Sequence, residues 1–286
     1  MSGPGGIRTH DRQLRRLDWG DFRQWLHGSY RSSTAKLYFN YSRRFWRLLF
    51  DKPLSELHTL TANKRRLVLL SLTALSRFLG LYDVWRARLK AEGLRWSADN
   101  SLNVFKRIYQ RELGVDSWLE EARLHLSWDY WFPIAYTALT GLRASEACLS
   151  LSIIAEQGLE HYYNPRKLCL EHFRFQGFLR RTKNAFISIV SDTLLRELEN
   201  WDKRVTWDKV RSRLKRLGLP CRLQDLRRNH ATLLNMNGIP ESIVDLLHGR
   251  IGKSVFIQFY LRPDFVQLAH RIQKILHPLE VRLLEA

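Results

Sequence analysis

A mainly α fold with one small antiparallel β-sheet is what this chain predicts, with an all-helical first domain followed by a mixed α/β second domain. Three observations lead there. Apolar residues recur at the helical period over most of the chain. Short β-rich stretches gather in one region only, between residues 159 and 190. With 286 residues, 45% of them hydrophobic, the chain can bury one large core or two modest ones, so two domains of roughly 100 to 170 residues are expected.

Residues 1–17, MSGPGGIRTHDRQLRRL, are Gly-rich and basic with no apolar period, and predict a mobile arm. The stretch SSTAKLYFNYSRRFWRLLF then repeats at helical spacing through Leu37, Tyr41, Phe45 and Leu48, with Ser32 or Ser33 available as N-cap. Further helices are expected at 62–79, 82–92 and 100–112, which makes 18–115 a small, basic, helical module. Gly114 through Trp118 reads as the hinge into the second domain, 116–286. There a helix carrying Arg143 precedes strands near 159–163, 168–175, 177–181 and 185–190, the last two joined by a tight Thr-Lys-Asn turn. Helices return at 192–201, 206–217, 223–236, 240–248, 253–261 and 264–276. The last presents Val266, Ala269, Ile272 and Leu276 as an apolar stripe, able to dock on a neighbouring molecule or to pack on its own domain.

Lys plus Arg outnumber Asp plus Glu by 47 to 28, a net charge of +19 whose self-repulsion is relieved by a polyanion. The excess is uneven: residues 1–115 hold 22 basic and 9 acidic side chains, net +13, against 25 and 19, net +6, in 116–286. Nucleic acid is the expected partner, gripped mainly by the first domain. In it Lys36, Arg43, Arg44 and Arg47 interleave with Tyr38, Tyr41 and Trp46, and Lys64, Arg65 and Arg66 open the next helix. Such a pattern offers cations for phosphates and aromatic faces for packing or stacking. No apolar run approaches the ~20 residues that span a bilayer and no signal peptide opens the chain, so a cytoplasmic protein is expected. Cys148, Cys169 and Cys221 have neither disulfide-framework nor zinc spacing and are expected to be buried thiols; no metal or cofactor is expected.

Four remote segments carry candidate chemistry. TGLRASE supplies Arg143 and Glu146; RRTKNAF supplies Lys183; LQDLRRNHATLL supplies Gln224, Asp225 and Arg227; LLHGRIGKSVFIQFYLRPD supplies His248, Arg250 and Tyr260. In this order and at these intervals, residues 118–276 resemble the catalytic domain of the tyrosine recombinases, the integrase family whose active site is shared with type IB topoisomerases. GRIGKSVFIQFYLRP is most similar to integrases of archaeal plasmids and viruses. The helical domain is similar to the family's core-binding domain in position and character only.

The resemblance implies a site-specific recombinase that acts on double-stranded DNA attachment sites. Tyr260 would attack a phosphodiester to leave a 3′-phosphotyrosine and a free 5′ hydroxyl. Four protomers would close as C-shaped clamps on two duplexes and exchange strands through a Holliday junction in a prokaryotic nucleoid. Forked guanidiniums match the charge that develops on the phosphate oxygens, a role for Arg143 and Arg227 with Glu146 orienting the first. Lys183, with Arg181 as its nearest competitor, would protonate the departing oxygen. Gln224 stands where the family usually has histidine and can donate a hydrogen bond but cannot shuttle a proton. Arg250 takes a position the family fills with histidine or tryptophan, His248 being its rival; His230 is expected at the helix surface.

GGIRTHDR, residues 5–12, resembles peptides encoded antisense across a transfer-RNA gene: Ile-Arg-Thr written ATT CGA ACC complements GGTTCGAAT, the T-arm consensus. An attachment site inside the gene's own 5′ end is expected. Two rivals share these residues, a monomeric type IB topoisomerase and a DNA-binding regulator that has lost its chemistry.

Overall fold

The structure, a computed structural model, describes residues 18–50, 53–94, 101–109, 114–179, 184–252 and 254–285, without the side chains of 103, 104 and 107. The expected arm, 1–17, lies outside the described residues, as do Arg181 and Lys183. The chain is mostly helical, 71%, with one three-stranded antiparallel sheet. It forms two compact units, Met1–Arg111 and Glu112–Ala286.

The first unit contains α1 (Trp19–Ser29), α2 (Ser32–Phe45), α3 (Ala62–Phe78), α4 (Tyr82–Ala91) and α5 (Ser101–Tyr109). The Asp18 carboxylate caps α1 by accepting from the N–H groups of Gly20 and Asp21. Arg31, not a serine, is the N-cap of α2, so Ser32 and Ser33 fall in its first turn. Small residues let α2 and α3 approach: Ala35, Ser42 and Ser71 are buried, and Ser42 Oγ donates to the Ser71 carbonyl at 3.0 Å. The aromatic residues of the basic segment turn inward. Tyr38, Tyr41 and Trp46 pack on the unit's core, while Lys36, Arg43, Arg44 and Arg47 stay exposed. The guanidiniums of Arg43 and Arg47 lie 5.9 and 5.5 Å from the ring centres of Phe39 and Trp46. Of the next basic run, Arg66 is exposed and Lys64 half-buried, but Arg65 folds back, its Nη2 donating to the Leu60 carbonyl at 3.3 Å. That hydrogen bond gives Arg65 a structural use at the start of α3.

The second unit runs α6 (Val115–His125), α7 (Trp128–Thr140), α8 (Ala144–Gln157), β1 (Tyr163–Asn164), β2 (Cys169–Glu171), β3 (Ile187–Ile189), α9 (Asp192–Glu199), α10 (Trp207–Arg216), α11 (Leu223–Met236), α12 (Glu241–Leu247) and α13 (Phe265–Glu280). Within the expected hinge, 114–118, Gly114 takes the left-handed region at φ +46, while Val115 and Trp118 are buried in the first turn of α6; the two units divide earlier, between residues 111 and 112. Helix α7 is buried from Trp131 to its end, and α11 packs along it. Among the described residues no single helix is long and apolar enough to cross a membrane; α7 and α8 form one apolar pair, bent by 113°.

The strands are shorter than predicted. β2 sits centrally, pairing Leu170 with Tyr163 of β1 and with Ser188 of β3. Residues 180–183, the end of the expected 177–181 strand and its turn, lie outside the described residues; before them Gln176–Phe178 make a 3₁₀ turn, and Phe178 is buried with its ring stacked 4.3 Å from that of His172. A buried polar chain ties the sheet to the helices. Tyr136 Oη meets Ser150 Oγ at 2.8 Å, Tyr162 Oη donates to Ser150 Oγ at 2.8 Å and also meets His172 Nδ1, and His172 Nε2 meets Ser188 Oγ at 2.7 Å.

Helix α13 settles on its own domain: Ala269, Ile272 and Leu276 are buried against Leu234, Ile243 and Ile189, and Val266 alone of the stripe is exposed. The chain beyond it is pinned too, since the Leu283 carbonyl accepts from Arg123 Nη1 at 2.6 Å and Trp131 Nε1 at 3.0 Å. Of the two expected uses of the stripe, the structure shows the packing on its own domain. The helix expected at 253–261 is a single wide turn, Phe256–Tyr260.

Candidate active site

Arg143 does not sit within a helix. Thr140-Gly141 ends α7, Gly141 taking φ +65, and Arg143 is the extended N-cap residue of α8. Three residues on, the buried Glu146 carboxylate accepts from the Arg143 backbone N–H at 3.0 Å through Oε2 and from Arg143 Nη1 at 2.7 Å through Oε1. One carboxylate thereby caps the helix and fixes the guanidinium. A guanidinium has no acceptor, so the reciprocal half of a capping box is absent. The Arg143 side chain is 26% exposed, so its outer edge faces solvent.

Arg227, on the first turns of α11, is 8% exposed. Its Nη1 donates to the Gly141 carbonyl at 2.5 Å and its Nη2 to the His248 carbonyl. Gly141 lies two residues before Arg143, so the turn that positions one arginine also holds the other. Burial first, then the neighbouring Arg143 charge, lowers the Arg227 pKa to about 10, which leaves it cationic at neutral pH.

Around these two a pocket of about 560 Å³ opens, lined by Arg143, Gln224, Arg227, Arg228, His248 and Arg250, with Trp207 and Cys221 on its wall. Gln224 is exposed one turn before Arg227, and Asp225 turns aside to pair with Arg228 at 2.7 Å. Arg250, also exposed, lies 3.6 Å from Asp245. Cys221 is exposed, contrary to the buried thiol expected there; Cys148 and Cys169 are buried. His230 is buried rather than on the helix surface, its Nδ1 3.0 Å from His248 Nε2.

Lys183 lies outside the described residues, but the chain that follows it abuts the pocket. Gly249, at φ +68, approaches so closely that a Cβ there would meet the Asn184 carbonyl oxygen at 2.2 Å. Only glycine permits this contact between the turn after α12 and the segment entering β3.

Tyr260 is brought to a different place. It does not line the pocket, is 71% exposed, and ends the Phe256–Tyr260 turn, where Phe256 and Phe259 are exposed as well. The structure thus assembles Arg143, Gln224, Arg227, Arg250 and His248, and leaves Tyr260 outside. The sequence reading missed Gly141, Gly249 and the second histidine of the pair. Helix-stop signals, Thr-Gly after an apolar helix and His-Gly after another, were the available clues.

No protein-family model matches the chain, and no curated protein matches it. Function is therefore argued from the residues and their geometry.

Proposed function

We propose that the protein is a tyrosine-type site-specific DNA recombinase, an integrase of a mobile element. The observation that supports it best is the meeting of Arg143, Gln224, Arg227 and Arg250, from three segments spread over 108 positions, around one open cationic pocket. A phosphodiester is the ligand such a set suits. Two fixed guanidiniums offer paired N–H donors to its non-bridging oxygens, and their charge counts most as the five-coordinate phosphorus forms. Glu146 and the two backbone carbonyls hold them without reorganisation.

In the proposed step the Tyr260 phenol gives its proton to water, its oxygen bonds to phosphorus, the P–O5′ bond breaks, and Lys183 delivers a proton to the leaving 5′ oxygen. The phosphate ester is conserved in the 3′-phosphotyrosine, so a 5′ hydroxyl of a second duplex can reverse the reaction without nucleotide or metal. Gln224 and Arg250 add hydrogen-bond donors to the phosphate. The exposed Phe256–Tyr260 turn must bring its phenol to the pocket, from the same or an adjoining subunit. The first unit, with its outward Lys36, Arg43, Arg44, Arg47 and Arg66, would act as the core-binding domain. The tRNA-like GGIRTHDR segment points to attachment within a transfer-RNA gene, and the archaeal character of the Tyr260 segment to a plasmid or virus of a prokaryotic host.

Two observations favour a second reading, a DNA-binding regulator without chemistry: Tyr260 does not line the pocket, and Gln224 stands where the family usually has a proton-shuttling histidine. Incubation in EDTA with supercoiled plasmids that carry or lack a tRNA-type attachment sequence separates these. Site-dependent joining through a covalent adduct is the expected result. Indiscriminate relaxation indicates a topoisomerase, and binding alone the regulator.

A further inference from the structure

Beneath the Arg227 guanidinium two histidines meet. His230 lies one helical turn after Arg227 on α11, and His248 ends α12; both are buried, with Nδ1 of the first 3.0 Å from Nε2 of the second. Both nitrogens press on Gly141, where a Cβ would come within 2.6 Å of each. The carbonyl of that glycine and the carbonyl of His248 itself are the two groups that hold the guanidinium. The imidazole contact thus joins the two backbone segments that fix Arg227.

A neutral imidazole carries one N–H. The contact between His230 Nδ1 and His248 Nε2 is therefore a hydrogen bond in which one ring donates and the other accepts. A proton added to the accepting nitrogen would set two N–H groups face to face and break this bond, and a proton elsewhere on either ring would place a second buried cation beside Arg227. Burial and then the Arg227 charge push His230 down to about 4 and His248 to about 2. The charges around the pair are Arg227 on α11, Arg143 before α8 and Arg250 after α12, with Glu146 and Asp245 facing Arg227. An apolar pair could fill the same volume, but it would not set the distance between α11 and the end of α12 by a directional bond.

We infer that His230 and His248 are positioning residues: a neutral imidazole pair that sets the Arg227 guanidinium for the phosphate and carries no proton in the reaction. This rests on the reading of the pocket as a DNA-phosphate site. The test uses the full chain labelled with ¹⁵N at histidine and arginine. Two imidazoles should remain neutral and mutually hydrogen-bonded from pH 7 to pH 5, and the Arg227 guanidinium N–H signals should be protected from exchange. His248→Leu should remove that protection and slow single-turnover cleavage of a suicide duplex roughly 10- to 100-fold, the usual range for a supporting residue, with DNA affinity within about twofold. His248→Gln, which keeps an N–H donor, should recover part of the rate. Ordinary titration of either ring near pH 6.5, or wild-type cleavage by His248→Leu, overturns the inference. If the wild type forms no adduct at all, the functional reading fails, and the guanidinium signals alone judge the pair: loss in His248→Leu supports it and persistence overturns it.

Discussion

The arginine pocket and the tyrosine turn belong to one unit yet are built in opposite ways. Arg143 and Arg227 are held by short contacts to a buried carboxylate and two backbone carbonyls. Around Tyr260 the side chains of Val255, Phe256 and Phe259 are all exposed, and the backbone makes a single wide turn. The contrast suits an enzyme that keeps its electrostatic clamp ready and withholds its nucleophile until DNA is bound. Charge stabilisation is effective only when donors are already oriented, whereas a phenol held permanently against a phosphate clamp would give no control over cutting.

Substitutions can break that contrast from either side. The largest effect is expected from Arg227→Ala, which should lower single-turnover cleavage by roughly 10²- to 10³-fold, as loss of a fixed oxyanion donor does. It should also destabilise the unit by about 1 to 3 kcal/mol, because two buried carbonyls lose their donor; rapid-quench cleavage and thermal melting measure the two effects. Next comes the backbone. Gly249→Ala forces a Cβ against the Asn184 backbone at a positive φ and should cost about 2 to 4 kcal/mol. Gly252→Ala, in the tyrosine segment, meets only the flexible end of Ile257 and should change the melting free energy by less than about 0.5 kcal/mol. Equal costs at the two glycines would erase the distinction between a rigid and a loose region.

The pH dependence of stability is the most distributed effect, shared among three buried histidines. His172, His230 and His248 are buried neutral, lowered chiefly by burial to about 3, 4 and 2. For a histidine whose folded pKa is depressed, stability is complete above the unfolded value of about 6.5 and declines as pH falls toward the folded value. At pH 5 each should cost about 2 kcal/mol relative to pH 7.5. Denaturant titrations at the two pH values, repeated in His230→Leu, check both sign and size.

Much of this was legible in the sequence, for physical reasons that also explain what was not. Helices such as α3 and α11 showed their apolar period and ended within a residue or two of expectation. The break at Gly141 was harder to read. Thr-Gly stops a helix, but the run on both sides of it is apolar because α7 and α8 are both core elements. The Arg143–Glu146 spacing was read as one turn of a continuous helix when it is an N-cap and its third residue. At the described start of the expected strand 177–181 the chain makes a 3₁₀ turn with Phe178 buried against His172, a tertiary contact that no local pattern announces. The four pocket residues were nameable from order and spacing, yet the imidazole pair was not, since nothing local links His230 to His248. In the first unit, alternating arginines and aromatics show composition but not direction; the structure turns the aromatics in and most of the cations out.

The central claim is that this clamp exists to hold a phosphate for attack by Tyr260. Trapping the full chain on a nicked suicide duplex in EDTA, digesting the adduct and locating the modified residue by mass spectrometry addresses it directly. A 3′-phosphonucleotide on Tyr260, absent in Tyr260→Phe and strongly reduced in Arg227→Ala, is the predicted result. An adduct on another residue, or an adduct that persists in Tyr260→Phe, would contradict it.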